Sequence, residues 1–425
     1  MRIVPRSESI SRRDFVREGS ALATGIVLGR LANCAATAEE ATTSVYTCRP
    51  LLTAALDFED VSRGHPKPYD LTGAAVEAAR LTPQTWRLEI VADPTTDEPV
   101  KEPASLAKQF TLEDGTALDL PALVEMGRTR GVRFIKAMQC LNLAEPLGQG
   151  LWEGVLLRDV LRLCGAMRNV RRIYYWGFHN DDPSQLFQSS LSYTEAMETP
   201  PGELPPFLAY RLNGEPIPLK RGGPVRMIVP WSHGFKSIKW LQRIAATNDF
   251  RPNDTYANNN NDPDSHLKTA AYISEQPKGP VRGKSVTMGG LVISGLSGLQ
   301  RVEYSLRRAD PAENAARNND ETHAEGNWIP CELEAPPSDW SGILPAGISS
   351  KDVLGFDPRT GRPKTWPLSY SMISWFVTLK DLTSGEYEFR VRSVDLNGFA
   401  QPEPRPLGKT GKNAVETVRF EVMEG

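Results

Sequence analysis

The sequence predicts an α+β chain in two parts, a mixed domain of strands and short helices followed by a domain made of strands alone. Three observations lead there. At 425 residues the chain is too long for one ordinary core, so two domains are the default. Apolar periodicity mixes two-residue and helical spacing up to about Phe250, and afterwards only the two-residue spacing remains. Between the two lies Arg251 to Ser265, RPNDTYANNNNDPDS, nearly free of apolar residues and dense in turn formers. Such a stretch reads as a surface loop, and it sets the division: 1–38 as a targeting segment, 42–265 as the first domain, 266–425 as the second.

The targeting segment comes first. Ser11-Arg12-Arg13-Asp14-Phe15-Val16 precedes a mildly apolar run from Ala21 to Leu31, and Ala36-Thr37-Ala38 supplies a small-residue cleavage signature. This order is that of a twin-arginine export signal, which predicts a periplasmic mature protein. That route usually serves proteins that fold around a cofactor before crossing, which motivates a search for a cofactor site. Elsewhere no apolar run approaches the roughly 20 residues needed to span a bilayer.

In the first domain, Trp86-Arg87-Leu88-Glu89-Ile90-Val91 alternates like a strand with one buried face. Leu157, Val160, Leu161 and Cys164 fall at helical spacing, and Gly165 follows as a helix stop. In the second domain, Val302, Tyr304 and Leu306 alternate with charged or polar neighbours, as do Tyr387, Phe389 and Val391, then Val418, Phe420 and Val422. Period-two runs separated by Gly, Pro and Asn clusters predict an immunoglobulin-like β-sandwich. The polar insertion from Ala309 to Glu325 reads as a long loop.

Composition narrows the function classes. The formal charge of -3 gives no reason to invoke nucleic acid or an anionic membrane. Five cysteines, Cys34, Cys48, Cys140, Cys164 and Cys331, form no C-x-x-C or C-x-x-C-H, which argues against a zinc ribbon, an iron–sulfur cluster or covalent haem. Any redox centre must be held differently.

Two blocks carry the chemistry. In FIKAMQCLNLAEPLGQGLWEGVLLRDVLRLCG, Phe134 to Gly165, a cysteine stands where a strand gives way to a loop, followed by Asn and by W-x-G-V-x-L-R-D-V-L opening a helix. In LAYRLNGEPIPLKRGGPVRMIVPWSHGFKSIKWLQRI, Leu208 to Ile244, the order is L-A-Y-x-x-N-G-x-P, then G-x-P-x-R-x-x-V-P, then G-x-x-S-x-K-W. Together they resemble the sulfite oxidase family of molybdopterin-dependent oxidoreductases, over most of the mature chain. The resemblance implies that Cys140 gives a thiolate to molybdenum beside the dithiolene of one molybdopterin. A thiolate is a soft donor suited to that metal. It further implies cofactor contacts from Arg226, Ser237 and Lys239, with the backbone of Gly234 to Lys236 and hence Phe235 and Lys236 close by. Arg221 falls where the family often has His. Phe58 to Pro66 corresponds to a family segment that would bring Arg63 and His65 near the metal and pterin. His179 lies in a loop that touches the cofactor, and Tyr256 corresponds to a substrate-side tyrosine.

Sulfite-oxidising members carry arginine shortly after the ligand, whereas here the order is Cys140-Leu141-Asn142-Leu143-Ala144-Glu145. A carboxylate at that place would repel sulfite by about 1 to 4 kcal/mol. The expected activity is two-electron oxygen-atom transfer to a small oxyanion or sulfur-containing substrate, with electrons leaving to an external carrier such as a c-type cytochrome. Reduction of a sulfoxide or another oxidised sulfur or nitrogen group, or a noncatalytic scaffold with a decayed cofactor domain, are the alternatives. The resemblance also implies a homodimer formed through the C-terminal sandwich.

Overall fold

The computed structural model describes residues 48–93, 102–141, 143, 145–199, 203–259, 261–264, 266–309, 327–401 and 414–424. The export signal, Cys34 and the insertion from 310 to 325 lie outside the described residues. The described residues form four larger sheets and a two-stranded ribbon. The first sheet has the order Leu118–Asp119, Arg87–Ala92, Leu241–Thr247, Arg172–Gly177, Gln188–Ser192, and only the pair of Arg87–Ala92 with Leu241–Thr247 is parallel. The second runs Glu215–Pro216, Phe207–Leu212, Gly148–Leu156, Gly131–Met138, with Arg226–Ile228 also on Phe207–Leu212.

The predicted helix forms as an α-turn over Leu157–Leu161 that tightens to 3-10 geometry over Arg162–Cys164. Gly165 ends it at φ 70°, a conformation that side chains disfavour. Leu157, Val160, Leu161 and Cys164 are all buried in the core under the first sheet, which accounts for their spacing.

Beyond residue 270 two antiparallel-rich sheets follow. One has the order Ala270–Glu275, Val286–Ile293, Met372–Leu379, Glu332–Leu333. The other is Val281–Arg282, Glu416–Met423, Gly385–Val394, Arg301–Arg308, Ile329–Pro330. They share a core in which Val292 and Trp375 from the first meet Val302, Phe389 and Phe420 from the second. Cys331, between two short strands that belong to different sheets, is tied by its N–H to Val302 O.

The two halves of the chain also share apolar clusters. Phe134, Trp152 and Phe207 pack with Tyr272, Leu291 and Met372. Ile135 and Leu151 pack with Trp340, Leu344 and Phe356. Gln149 spans the seam, accepting from Met372 N–H and donating to Met372 O. Such shared burial couples the stability of the halves.

One reading is corrected here. The Arg251–Ser265 stretch is not simply a surface loop: Thr255–Asn258 is a short helix capped by Asp254, which accepts from Tyr256 and Ala257 N–H. Asp254 is buried and also accepts from Ser190 Oγ, so its charge is satisfied inward. Local composition missed this because the anchors, Ser190 and the aromatic neighbours of Tyr256, are distant in sequence.

Candidate active site

Cys140 follows directly on a fully paired hairpin. Gly131–Met138 and Gly148–Leu156 stay in register from Gly131 against Val155 to Met138 against Gly148. The connecting loop is pinned from within. Buried Gln139 donates its side-chain amide to Cys140 O at 3.0 Å and Leu143 O at 3.1 Å, and its own carbonyl accepts from Gly234 N–H at 2.8 Å. That last bond ties the cysteine loop to the second sequence block. Cys140 is a half-buried free thiol.

The thiol stands on the wall of a cavity of about 370 Å³. Arg63, His179, Arg226, Phe235, Ser237, Lys239 and Tyr256 line the same cavity, so eight of the positions singled out in the sequence converge. Val61, Ser62, Leu143, Gln185, Phe187 and Trp240 complete much of the wall. Among the described residues no carboxylate lines it, and three cationic side chains do.

These cations are held mainly by neutral acceptors. Arg226 donates to Ser237 O at 3.0 Å and Arg221 O at 3.1 Å, and its guanidinium lies over the Trp152 ring. Burial and the neighbouring charge of Arg221 push it down to about 9. Lys239 donates to Asp60 at 3.0 Å, Ser62 Oγ at 2.6 Å and Lys220 O at 3.1 Å. Burial, then repulsion from Arg226, push it down to about 7, against the opposing pull of Asp60. Burial acts to raise Asp60 itself, but hydrogen bonds from Ser62 and Tyr69 and the charge of Lys239 outweigh it and hold the carboxylate well below its usual range. Gly222 makes room for Lys239: its φ is +97°, and a Cβ there would lie 2.6 Å from Lys239 Cγ.

Tyr256 is buried, stacked on Phe235 at 4.1 Å and edge-on to Phe187 at 5.8 Å. Arg63 lies over the Phe187 ring at 4.3 Å. Burial raises the Tyr256 phenol; the charge of Cys140 adds to this and that of Arg63 opposes it, so both groups lie within electrostatic range of it.

Three predicted positions stand off the cavity wall. Lys236 sits in the 3-10 turn Gly234–Lys236, which sends its side chain into the first sheet to reach Ser190 O at 2.7 Å. Arg221 lies behind the wall, donating to Glu59 O at 3.1 Å, while its Nε is buried without a hydrogen-bond partner. His65 is exposed, and its N–H bonds Gln185 Oε1. Glu145 is likewise exposed and absent from the wall, so the expected repulsion has no geometric basis there. Sequence reasoning passed over Asp60, Gln185 and Phe187, whose roles arise from tertiary convergence. It also passed over Lys136, which did leave a signal: a lysine inside the apolar strand Phe134-Ile135-Lys136-Ala137-Met138. Lys136 is fully buried, donates to Pro230 O and Ser232 O, and is pushed down to about 7 by burial and then by Arg226.

A free thiol and three cations around one cavity are the donor set that an anionic, sulfur-liganding cofactor would call for, and the chain resembles proteins of that class. Residues 75–255 match the family model described as an oxidoreductase molybdopterin binding domain. The mitochondrial sulfite oxidase of Macaca fascicularis is 26% identical over 200 residues, 45% of this chain and 34% of that protein. The nitrate reductase [NAD(P)H] of Betula pendula is 33% identical over 176 residues, 40% of this chain and 19% of that one. The chain thus matches about a third or less of the length of these relatives. Among solved structures, the sulfane dehydrogenase SoxCD from Paracoccus pantotrophus shares the fold, with TM-score 0.50, 18% identity and coverage of 80% of this chain and 77% of that chain. Residues 75–255 thus form an oxidoreductase molybdopterin binding domain, and the chain is similar over that part to the sulfite oxidase family of molybdopterin-dependent oxidoreductases.

Proposed function

We propose that the protein is a molybdenum–molybdopterin enzyme of two-electron oxygen-atom transfer, sulfite dehydrogenase-like, passing electrons to an external carrier. The observation that carries this is a soft thiol and three cations, Arg226 buried, Lys239 half-buried and Arg63 exposed, on the wall of one cavity with no carboxylate among its described lining residues. The donor set fits the group. A dithiolene-bound metal asks for one further soft ligand and a phosphorylated pterin asks for cations and N–H donors. Among the described residues no group of three or more His, Cys, Asp or Glu could hold a metal unaided, which suits a metal that brings most of its own ligands. The volume lies within the range of small-molecule sites, about 300 to 1,000 Å³.

Cys140 would hold the metal; Arg226, Ser237, Lys239 and Phe235 would hold the pterin and its phosphate. When bound, the group supplies the two-electron redox chemistry and the site of oxygen transfer. Arg63 would orient an anionic substrate, and Tyr256, stacked on Phe235 and shielded by Phe187, would shape the substrate side and exclude water. His179 stands at the same wall for the cofactor. Arg221 and Lys236 act from behind it as charges supporting the cofactor-binding strand and turn, and His65 by holding Gln185.

Export by the twin-arginine route to the periplasm, a c-type cytochrome as electron acceptor, and a homodimer formed through an immunoglobulin-like C-terminal sandwich complete the reading. Support for the first comes from residues 1–38 alone. Among the described residues no helix is long and apolar enough to cross a membrane. We assign 42–265 to the cofactor and 266–425 to assembly. Because the halves share apolar clusters, the second part serves the stability of the first.

Cys140→Ser is the test. X-ray absorption on the purified holoprotein should lose one metal–sulfur scatterer, and turnover should fall by at least about a thousandfold, since a hydroxyl is a harder and more basic ligand. An unchanged sulfur shell with wild-type turnover would remove Cys140 from the site.

A further inference from the structure

The cavity wall is divided by chemistry. Arg226, Ser237 and Lys239 gather on the strand and turn beside Trp240, whereas Cys140, Leu143, Arg63, Phe187, Phe235 and Tyr256 form a region with one cation in an otherwise largely apolar surround. The aromatic part is continuous: Arg63 over Phe187, Phe187 edge-on to Tyr256, Tyr256 stacked on Phe235. Stacked and edge-on rings of this kind offer faces and edges to another apolar group and few hydrogen bonds.

Sulfite is a poor match to that region. It presents three oxygens and up to two negative charges, all of which lose water on entry, and Arg63 is the one cation there to balance them. A sulfinate replaces one oxygen by carbon and carries a single charge, and its sulfur keeps the lone pair at which oxygen is added. Resting on the reading under Proposed function, we infer that the substrate is an organic sulfinate, its head group paired with Arg63 beside Cys140 and its organic substituent packed against Phe187 and Tyr256.

The reaction balances as RSO2⁻ plus H2O giving RSO3⁻, two protons and two electrons. One S–O bond forms, two O–H bonds of water break, sulfur is oxidised, and two equivalents of the external one-electron carrier take up the two electrons.

The test uses full-length holoprotein with benzenesulfinate, methanesulfinate and sulfite, and a dye acceptor. Benzenesulfinate should exceed sulfite in kcat/KM by at least about tenfold, the scale of discrimination an apolar pocket provides. Phe187→Ala should raise KM for benzenesulfinate about tenfold more than KM for methanesulfinate, because only the former has a ring to pack there. Independently of turnover, benzenesulfonate binding measured by calorimetry should weaken about tenfold in Phe187→Ala. Molybdenum-loaded protein that turns over sulfite better than benzenesulfinate would overturn the inference and leave the cofactor reading standing. Metal-free protein from a molybdate-replete host would overturn the cofactor reading, and the inference with it.

Discussion

Buried charge is handled in opposite ways in the two halves of this molecule. On the outer face of the C-terminal sheet, Glu303 is bracketed by Arg301 at 2.6 Å and Arg392 at 2.9 Å, and Glu388 by Arg307 at 2.7 Å and Arg419 at 3.1 Å. Cross-strand register puts Glu303 opposite Arg392, Arg307 opposite Glu388 and Glu388 opposite Arg419, so each carboxylate is matched by the sheet itself. Around the cavity, Lys136 and Arg226 rest on backbone carbonyls with no carboxylate in hydrogen-bond contact, and Lys239 shares a single one. Matched charge builds structure. Surplus charge of one sign, held in place by neutral acceptors, prepares a site for an anion that arrives later.

The sharpest break in this comparison is on the matched side. Replacing Glu303 and Glu388 together by Gln should cost about 2 to 5 kcal/mol in urea unfolding, because four arginines lose their counter-charges at a partly buried surface. Cofactor content should not change. For Glu388 burial alone would raise the carboxyl, but the hydrogen bonds and charges of Arg307 and Arg419 outweigh it and lower it. Its contribution is therefore present above the ordinary glutamate range and is lost as pH falls through the lowered folded value. Wild-type protein should lose stability on acidification faster than the double variant.

Lys136 sharpens the other side. Its folded value, pushed down to about 7, lies below the ordinary lysine value, so the unfolded chain binds the extra proton at alkaline pH. Stability from this group rises from about pH 7 toward pH 10 and is penalised below, by up to about 1.4 kcal/mol per pH unit. A neutral amine still has two N–H donors for the carbonyls of Pro230 and Ser232, so the uncharged form is satisfied. Lys136→Met should flatten the pH dependence of the denaturation midpoint in that window.

A smaller effect is expected at Lys239, which is protonated below about pH 7 and neutral above it. Sulfate, a permanent dianion, should bind cofactor-free protein several-fold more weakly at pH 8 than at pH 6, on the scale of one charge–charge contact, about 1 kcal/mol. Lys239→Met should bind it weakly at both, as isothermal titration would read.

Much of the cavity was legible in the sequence because its residues sit in two uninterrupted blocks, and the strands of those blocks fix where Cys140, Arg226, Ser237 and Lys239 point. The rest depended on geometry that spacing does not carry. Lys236 and Lys239 are three residues apart, yet one 3-10 turn sends the first into the sheet and leaves the second on the wall. Tyr256 lies in a stretch whose composition reads as loop, and its buried place comes from contacts distant in sequence, among them Ser190, Phe187 and Phe235. The alternating strands after residue 270 were legible for the same reason that the sheet face is matched, since period-two order is a property of the chain itself. Their outer face, however, carries buried glutamates, which alternation alone reads as solvated positions.

The most direct test of the account is molybdenum and pterin per chain in full-length protein from a molybdate-replete host, measured together for wild type, Arg226→Met and the Glu303→Gln, Glu388→Gln pair. Wild type and the glutamate pair should each carry about one of each, while Arg226→Met should retain less than about a tenth, the loss expected for a buried charge-assisted contact to a phosphate. Equal content in all three proteins, or none in wild type, would contradict it.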